Sequence, residues 1–288
     1  MAIRPRRSVL YMPGSNARAL EKAKTLPADG VILDLEDAVA PDAKATARDQ
    51  VVAAVKAGGF GAREVFIRTN GFDTPWFADD LTAAAGAAPD AILIPKISTP
   101  KQLELIAQRL LSMHSDHRVR IWAMIETPTA IFDVREIASH PRVAVLVMGT
   151  NDLAREIGAP QVPGRNNLTP YLSTAVLAAR EAGKVILDGV YNDVRDEEGF
   201  AAECAQGVQM GFDGKTLIHP GQVGPANAAW SPTSDEVEYS RRVIEAFSAA
   251  EAEGRGVITV DGRMIENLHV ANARRTLTVA DAIAKLGS

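Results

Sequence analysis

Four acids and one arginine carry most of the chemistry this sequence offers. Glu126 closes the run VRIWAMIE, Asp152 follows VAVLVMG, and Glu36 and Asp37 follow GVILDL, each where branched apolar residues give way to polar ones. Two carboxylates with no Cys or His pair beside them suit a hard, oxygen-loving divalent cation such as magnesium, with water and substrate oxygens completing the shell. Each acid alone also reads as a helix cap, because Glu126 precedes Thr127-Pro128 and Asp152 opens a helical stretch. Four acids gathered at one place weaken that reading, since like charges repel unless a cation or a raised pKa relieves them. Arg68, at the end of REVFIRTN, can grip a substrate carboxylate or carbonyl with two hydrogen bonds and stabilise negative charge as it develops. A structural ion pair with Glu36 or Asp37 is its other reading, and the two are compatible. A cation, an arginine and carboxylates, without a histidine base or activated serine, point to enolate chemistry at a carbonyl compound with the metal as Lewis acid.

The weaker signals lie elsewhere. Pro13-Gly14-Ser15-Asn16-Ala17-Arg18, with Lys22 beyond it, offers backbone amides and cations for a phosphate, but Arg18 and Lys22 equally fit a solvated helix face. His219 in TLIHPGQ reads as a turn histidine satisfied by backbone. His114, His117 and His140 lack metal-ligand spacing and receive no role. The single cysteine, Cys204, reads as a small residue on a helix and excludes a disulfide within the chain or a Cys-rich metal site.

These groups must be positioned by something regular. The runs SVLYM, GVILDL, REVFIR, AILIPK, VRIWAMIE, VAVLVMG, KVILDG and FDGKTLI alternate with Ala-rich helical stretches, including 16–26, 42–57, 76–86, 100–112 and 169–183. Eight strands joined by helices imply a parallel sheet covered on both faces, which explains the nearly continuous apolar runs. Eight repeats favour closure into a (β/α)8 barrel of the TIM type, and no G-x-G-x-x-G follows an early strand to support a doubly wound alternative. Such barrels place function where strands end. Here those ends carry Asp34, Glu36, Asp37, Arg68, Asn70, Lys96, Glu126, Asn151, Asp152, Asp188 and His219. The predicted division is a catalytic barrel at 1–224 and a C-terminal helical extension at 225–288. That extension carries a helix near 235–253, a short VITV strand, a turn at Asp261-Gly262 and a helix near 268–284.

With 47% hydrophobic residues among 288, the chain can bury a substantial core. A net charge of -5 gives no general attraction to nucleic acid or anionic membrane, so a polyphosphate-bearing partner would need a local basic cluster. No segment approaches membrane-spanning length, and a cytoplasmic setting is expected.

The motifs RRSVLYMPGSN, DGVILDLEDAVAPDAK, VFIRTNGFDTPW, AILIPK, MIETP, VMGTNDLA, DEEGF, GFDGKTLIHPGQV and DGRMIENLHVANARR run in order along nearly the whole chain. On these motifs the sequence resembles the citrate lyase β-subunit and malyl-CoA lyase group of the HpcH/HpaI aldolase superfamily. The resemblance implies a TIM-type barrel with magnesium, or manganese in its place, on Glu126 and Asp152. It implies Arg68 against the keto acid with support from Glu36 and Asp37, and substrate contacts from Glu126 and Asn151. It also implies coenzyme A against Tyr11, Pro13, Asn16, Arg18, Lys22, Ile218 and His219. The implied assembly is a homotrimer or hexamer in which the C-terminal segment covers a neighbour's site. Glu266 stands where lyase-like members carry a catalytic aspartate, and it keeps the carboxylate on an arm one methylene longer. The expected reaction is carbon–carbon cleavage of malyl-CoA, β-methylmalyl-CoA or citramalyl-CoA to glyoxylate or pyruvate plus acyl-CoA. The alternatives are hydrolysis of (3S)-malyl-CoA to malate and coenzyme A, or a citrate lyase β-subunit acting on a carrier-protein thioester.

Overall fold

The structure, a computed structural model, describes residues 4–113, 119–252 and 254–286; His114 and His117 lie outside them. In chain order the elements are β1 Ser8–Pro13, α1 Ala17–Ala23, β2 Gly30–Asp34, α2 Lys44–Ala57, β3 Glu64–Arg68, α3 Phe77–Ala87, β4 Ala91–Ile94 and α4 Pro100–Ser112. They continue with β5 Arg120–Ile125, α5 Pro128–Phe132, α6 Val134–Ser139, β6 Val143–Met148, α7 Thr150–Glu156, α8 Thr169–Glu181, β7 Val185–Asp188, α9 Glu197–Met210, β8 Gly214–Leu217 and α10 Val223–Ala229. The remainder is α11 Ser234–Ala252, β9 Ile258–Val260, β10 Arg263–Ile265 and α12 Asn267–Leu286.

Strands β1 to β8 pair in parallel and in sequence order, and β1 also pairs with β8, so the sheet closes on itself. This is the (β/α)8 barrel that the eight apolar runs predict. Helix boundaries follow local chemistry: Thr99 and Gln102 form a reciprocal capping box and Pro100 occupies the first turn of α4. Val9, Ile32, Phe66, Leu93, Trp122, Met124, Val145, Val147 and Leu187 fill the barrel interior. Phe66 and Trp122 stack there with centroids 3.8 Å apart. The N-terminal mouth is closed by charge, with Arg6 on Glu64 at 2.7 Å and Arg7 on Asp29 at 2.7 Å, while Arg6 also covers the Trp122 ring.

A second charged device lies between the last strands. Arg165 donates to both oxygens of Asp188 at 2.6 and 2.8 Å, and Lys215 donates to Asp188 at 3.1 Å and to Glu203 at 2.6 Å. Asp188 and Lys215 are fully buried, so two cations and two anions balance one another away from water. Burial acts to raise the Asp188 pKa, but Lys215 and Arg165 hold it below the usual carboxylate range.

Residues Arg6–Ala229 form one compact unit, which contains all of α10, and the chain from Trp230 belongs to another. In the latter, α11 and α12 pack with an antiparallel hairpin, β9 and β10, around Val243, Phe247, Val260, Ile265 and Val270. The sequence pattern signalled β9 and the Asp261-Gly262 turn but not β10. At three residues, Arg263–Ile265, β10 is too short for strand alternation to register.

Candidate active site

Side chains on a strand alternate between faces, so the parity of interior residues decides what reaches the barrel mouth. From Ile32 the same face leads to Asp34; from Phe66, to Arg68; from Trp122 and Met124, to Glu126; from Val145 and Val147, to Gly149. The mouth therefore receives an acid, an arginine, a second acid and a position without a side chain. That last feature is required: a Cβ on Gly149 would lie 2.1 Å from Glu126 Oε2. Glu126 occupies space that only glycine leaves.

Arg68 is buried and makes its two-pronged contact with Asp34, Nε to Oδ1 at 2.6 Å and Nη2 to Oδ2 at 2.7 Å. Its Nη1 meets Glu36 Oε2 at 2.8 Å and the exposed Asp37 at 3.4 Å. Both ion pairs named from the sequence are present, but the principal partner is Asp34, for which period-two alternation from Ile32 was the available signal. Asp34 is held ionised: burial opposes it, but the Arg68 guanidinium keeps its pKa below the usual range. Four of the five Arg68 N–H groups thus face acids within the protein, leaving an Nη2 hydrogen for a ligand.

Glu36 is fixed through its backbone. Lys44 Nζ donates to the carbonyls of Leu35 and Glu36 at 2.8 and 2.7 Å, and Asn70 Nδ2 donates to Leu35 at 3.0 Å. Glu126 does not cap a helix: Thr127 caps α5 instead, and Glu126 Oε1 accepts from the Lys96 backbone N–H at 2.7 Å. Lys96 Nζ reaches Glu36 at 3.4 Å and Asp152 at 3.7 Å. Asp152 lies in the first turn of α7, but the N-cap there is Gly149 and no side-chain cap forms. Asp152 also pairs with Arg155. Glu36, Glu126 and Asp152 are thereby gathered around one lysine, and burial and then the charges of Glu36 and Asp152 push Glu126 up to about 8.

The other candidates are placed as follows. Asn151 is exposed and joins Gln161 and Asn192 in an amide cluster beside a separate cavity of about 570 Å³. Tyr11 lies under Arg68, with the guanidinium carbon 4.7 Å from the ring centre and the hydroxyl donating towards Met124 Sδ at 3.8 Å. Burial pushes its phenol above the ordinary range. Pro13 ends β1, and Asn16 caps α1 by accepting from the Ala19 N–H at 3.1 Å. Arg18 and Lys22 are exposed on α1, and Ile218 is exposed after β8. His219 Nδ1 accepts from the Gly221 N–H at 3.1 Å, the backbone-satisfied turn its sequence context suggests. Glu266 is exposed where β10 meets α12, in the C-terminal unit. Cys204 is buried on α9.

The family profile described as HpcH/HpaI aldolase/citrate lyase matches residues 7–220, which span all eight strands and this acid cluster. The chain belongs to that family. Among its relatives, a (3S)-malyl-CoA thioesterase of Cereibacter sphaeroides (strain ATCC 17025 / ATH 2.4.3) is 49% identical over 99% of this chain and 98% of its own. The citrate lyase β-subunit of Escherichia coli (strain K12) is 34% identical over 96% and 94%. The crystal structure of Mycobacterium tuberculosis CitE in complex with magnesium, acetoacetate and coenzyme A is 27% identical, with a TM-score of 0.79 over 96% of this chain and 98% of that one. The chain is thus an enzyme of the citrate lyase β-subunit and malyl-CoA thioesterase group of the HpcH/HpaI family. Its own residues fit a divalent cation: Glu126 and Asp152 present only carboxylate oxygens, and Glu126 is buried among like charges that a cation would relieve. Among the described residues no three His, Cys, Asp or Glu side chains close around one point. The two carboxylates would therefore share a cation with water and ligand oxygens. Among the described residues no helix is long and apolar enough to cross a membrane.

Proposed function

We propose that this enzyme hydrolyses (3S)-malyl-CoA to malate and coenzyme A, with magnesium held by Glu126 and Asp152. The single observation carrying this reading is the 49% identity to a (3S)-malyl-CoA thioesterase across almost the full length of both chains. It moves hydrolysis ahead of the carbon–carbon cleavage expected first from the sequence motifs. Bound magnesium supplies a Lewis acid and a template for substrate oxygens. Manganese is expected to substitute.

The chain's residues then have distinct tasks. Arg68, locked by Asp34, presents its remaining N–H, on Nη2, to the substrate's free carboxylate. Glu36, its backbone carbonyl held by Lys44, keeps that guanidinium oriented, with the outer Asp37 adding to the same nitrogen. Glu266 of a neighbouring copy is the base in this reading: its carboxylate takes a proton from water as the water oxygen bonds to the thioester carbon. The carbon–sulfur bond then breaks, and the proton passes to the departing thiolate. Tyr11, Pro13, Asn16, Arg18, Lys22, Ile218 and His219 are proposed contacts of coenzyme A, and Asn151 of the acyl part. The C-terminal segment from 225 is proposed to act on a neighbour's site in a trimer or hexamer.

The 34% identity to a citrate lyase β-subunit favours a second reading, carbon–carbon cleavage, in the same pocket. Incubating the protein with (3S)-malyl-CoA and magnesium, while following free thiol, malate and glyoxylate, separates them. Thiol and malate in equal amounts support hydrolysis, glyoxylate without thiol replaces it with cleavage, and neither product overturns both.

A further inference from the structure

Lys96 contacts three acids of the barrel mouth, Glu126, Glu36 and Asp152, and it does so with two different groups. Its backbone N–H donates to Glu126 Oε1 at 2.7 Å, while its ammonium reaches Glu36 Oε1 at 3.4 Å and Asp152 Oδ1 at 3.7 Å. The backbone contact depends on an uncommon conformation. Lys96 has φ of 53°, in the left-handed region that side-chain-bearing residues rarely enter outside turns. It directly follows Pro95 and the buried β4 run, and its side chain is 38% exposed, so the ammonium retains access to solvent. Strained backbone that aims one N–H at a buried carboxylate is a feature to explain by function.

We propose that Lys96 is the positioning residue of the cation site: its N–H fixes the direction of Glu126, and its ammonium sets how tightly Glu126 and Asp152 hold a divalent cation. This rests on the reading that those two carboxylates bind the cation. The reasoning is electrostatic. A fixed positive charge within 4 Å of Asp152 offsets part of the attraction the acids exert on a second cation, and the effect is larger near a buried carboxylate than in water. The same charge moderates the negative potential of five acids, Asp34, Glu36, Asp37, Glu126 and Asp152, at a mouth through which an anionic substrate must pass. Weaker cation binding is thus exchanged for tolerance of the substrate's own charge.

Three substitutions separate the two contributions. Lys96→Gly removes the ammonium but adopts φ of 53° readily, so the N–H stays on Glu126. Lys96→Arg keeps the charge. Lys96→Val removes the charge and disfavours the left-handed backbone, so it also disturbs Glu126. Binding of Mn2+ to the full-length protein is measured by the loss of the free-ion EPR signal, with Asp152→Asn as the control for the site itself. The expected result is about tenfold tighter binding in Lys96→Gly, as removing one nearby charge implies. Lys96→Arg should match the parent, and Lys96→Val should bind more weakly than Lys96→Gly. Unchanged or weaker binding in Lys96→Gly overturns the charge-setting role, and equal binding in Lys96→Gly and Lys96→Val overturns the backbone role. No Mn2+ bound by the parent, or full binding by Asp152→Asn, overturns the cation-site reading instead.

Discussion

Replacing Glu126 by Gln tests the central feature of the site, a buried carboxyl pushed up to about 8 by burial and by Glu36 and Asp152. The residue is only 2% exposed, so solvent screens it little. Below its ordinary value of 4.5, both the folded and the unfolded chain keep the proton and Glu126 has no effect on the pH dependence. Between 4.5 and about 8 the unfolded chain has released the proton that the folded chain still holds, so stability falls as pH rises, by about 1.4 kcal/mol per pH unit. Across that window the loss amounts to about 5 kcal/mol, and structural relaxation that halved it would still leave a readily measured effect. Glutamine keeps the acceptor for the Lys96 N–H and carries no charge. Urea unfolding in EDTA from pH 5 to pH 8 should therefore show Glu126→Gln gaining on the parent as pH rises, with the parent alone recovering stability on addition of magnesium at pH 8. Parallel pH profiles for the two proteins would refute the reasoning, because they would mean that Glu126 ionises in the folded chain as freely as in the unfolded one.

Gly149→Ala should displace Glu126, since the new methyl would lie 2.1 Å from Oε2; Mn2+ titration should show binding weakened at least tenfold, and unchanged affinity would contradict the fit. Asp34→Asn leaves the buried Arg68 without its main partner, and chemical unfolding should register a loss of about 3 kcal/mol. In Arg68→Lys an ammonium cannot reproduce the paired contact with Asp34 while presenting further N–H groups. Steady-state kinetics should show kcat/KM reduced about a hundredfold, and parental rates would leave Arg68 a structural role only.

The barrel was legible because parallel strands buried on both faces must be apolar throughout, and runs such as GVILDL and VAVLVMG stand out from the Ala-rich helices between them. Glu126, Asp152, Glu36 and Arg68 were legible for the complementary reason, as polar residues at the ends of those runs. Three features of the site were harder to see. Asp34 stands inside an apolar run, and its part emerges only when strand parity is followed from Ile32. Gly149 acts by having no side chain, which composition does not register as chemistry. Lys96 acts partly through a left-handed backbone, which a lysine does not advertise. Glu266 lies in the C-terminal unit, so the role proposed for it rests on resemblance rather than on alternation along a barrel strand.

The four charges of Arg165, Asp188, Lys215 and Glu203 carry a consequence for how this enzyme can vary. Removing any one leaves a partner charged and buried, at about 3 to 5 kcal/mol, which is a large share of the stability of an ordinary domain. Single substitutions at these positions are therefore costly, and replacing several members together avoids leaving an unpaired buried charge. The loop beginning at Gly189, whose carbonyl accepts from Lys215 and which leads to Asn192 beside Asn151, is tied to the same quartet. Gln161 and Asn192 on that rim are exposed, so substitution there removes surface hydrogen bonds rather than a partner of a buried charge.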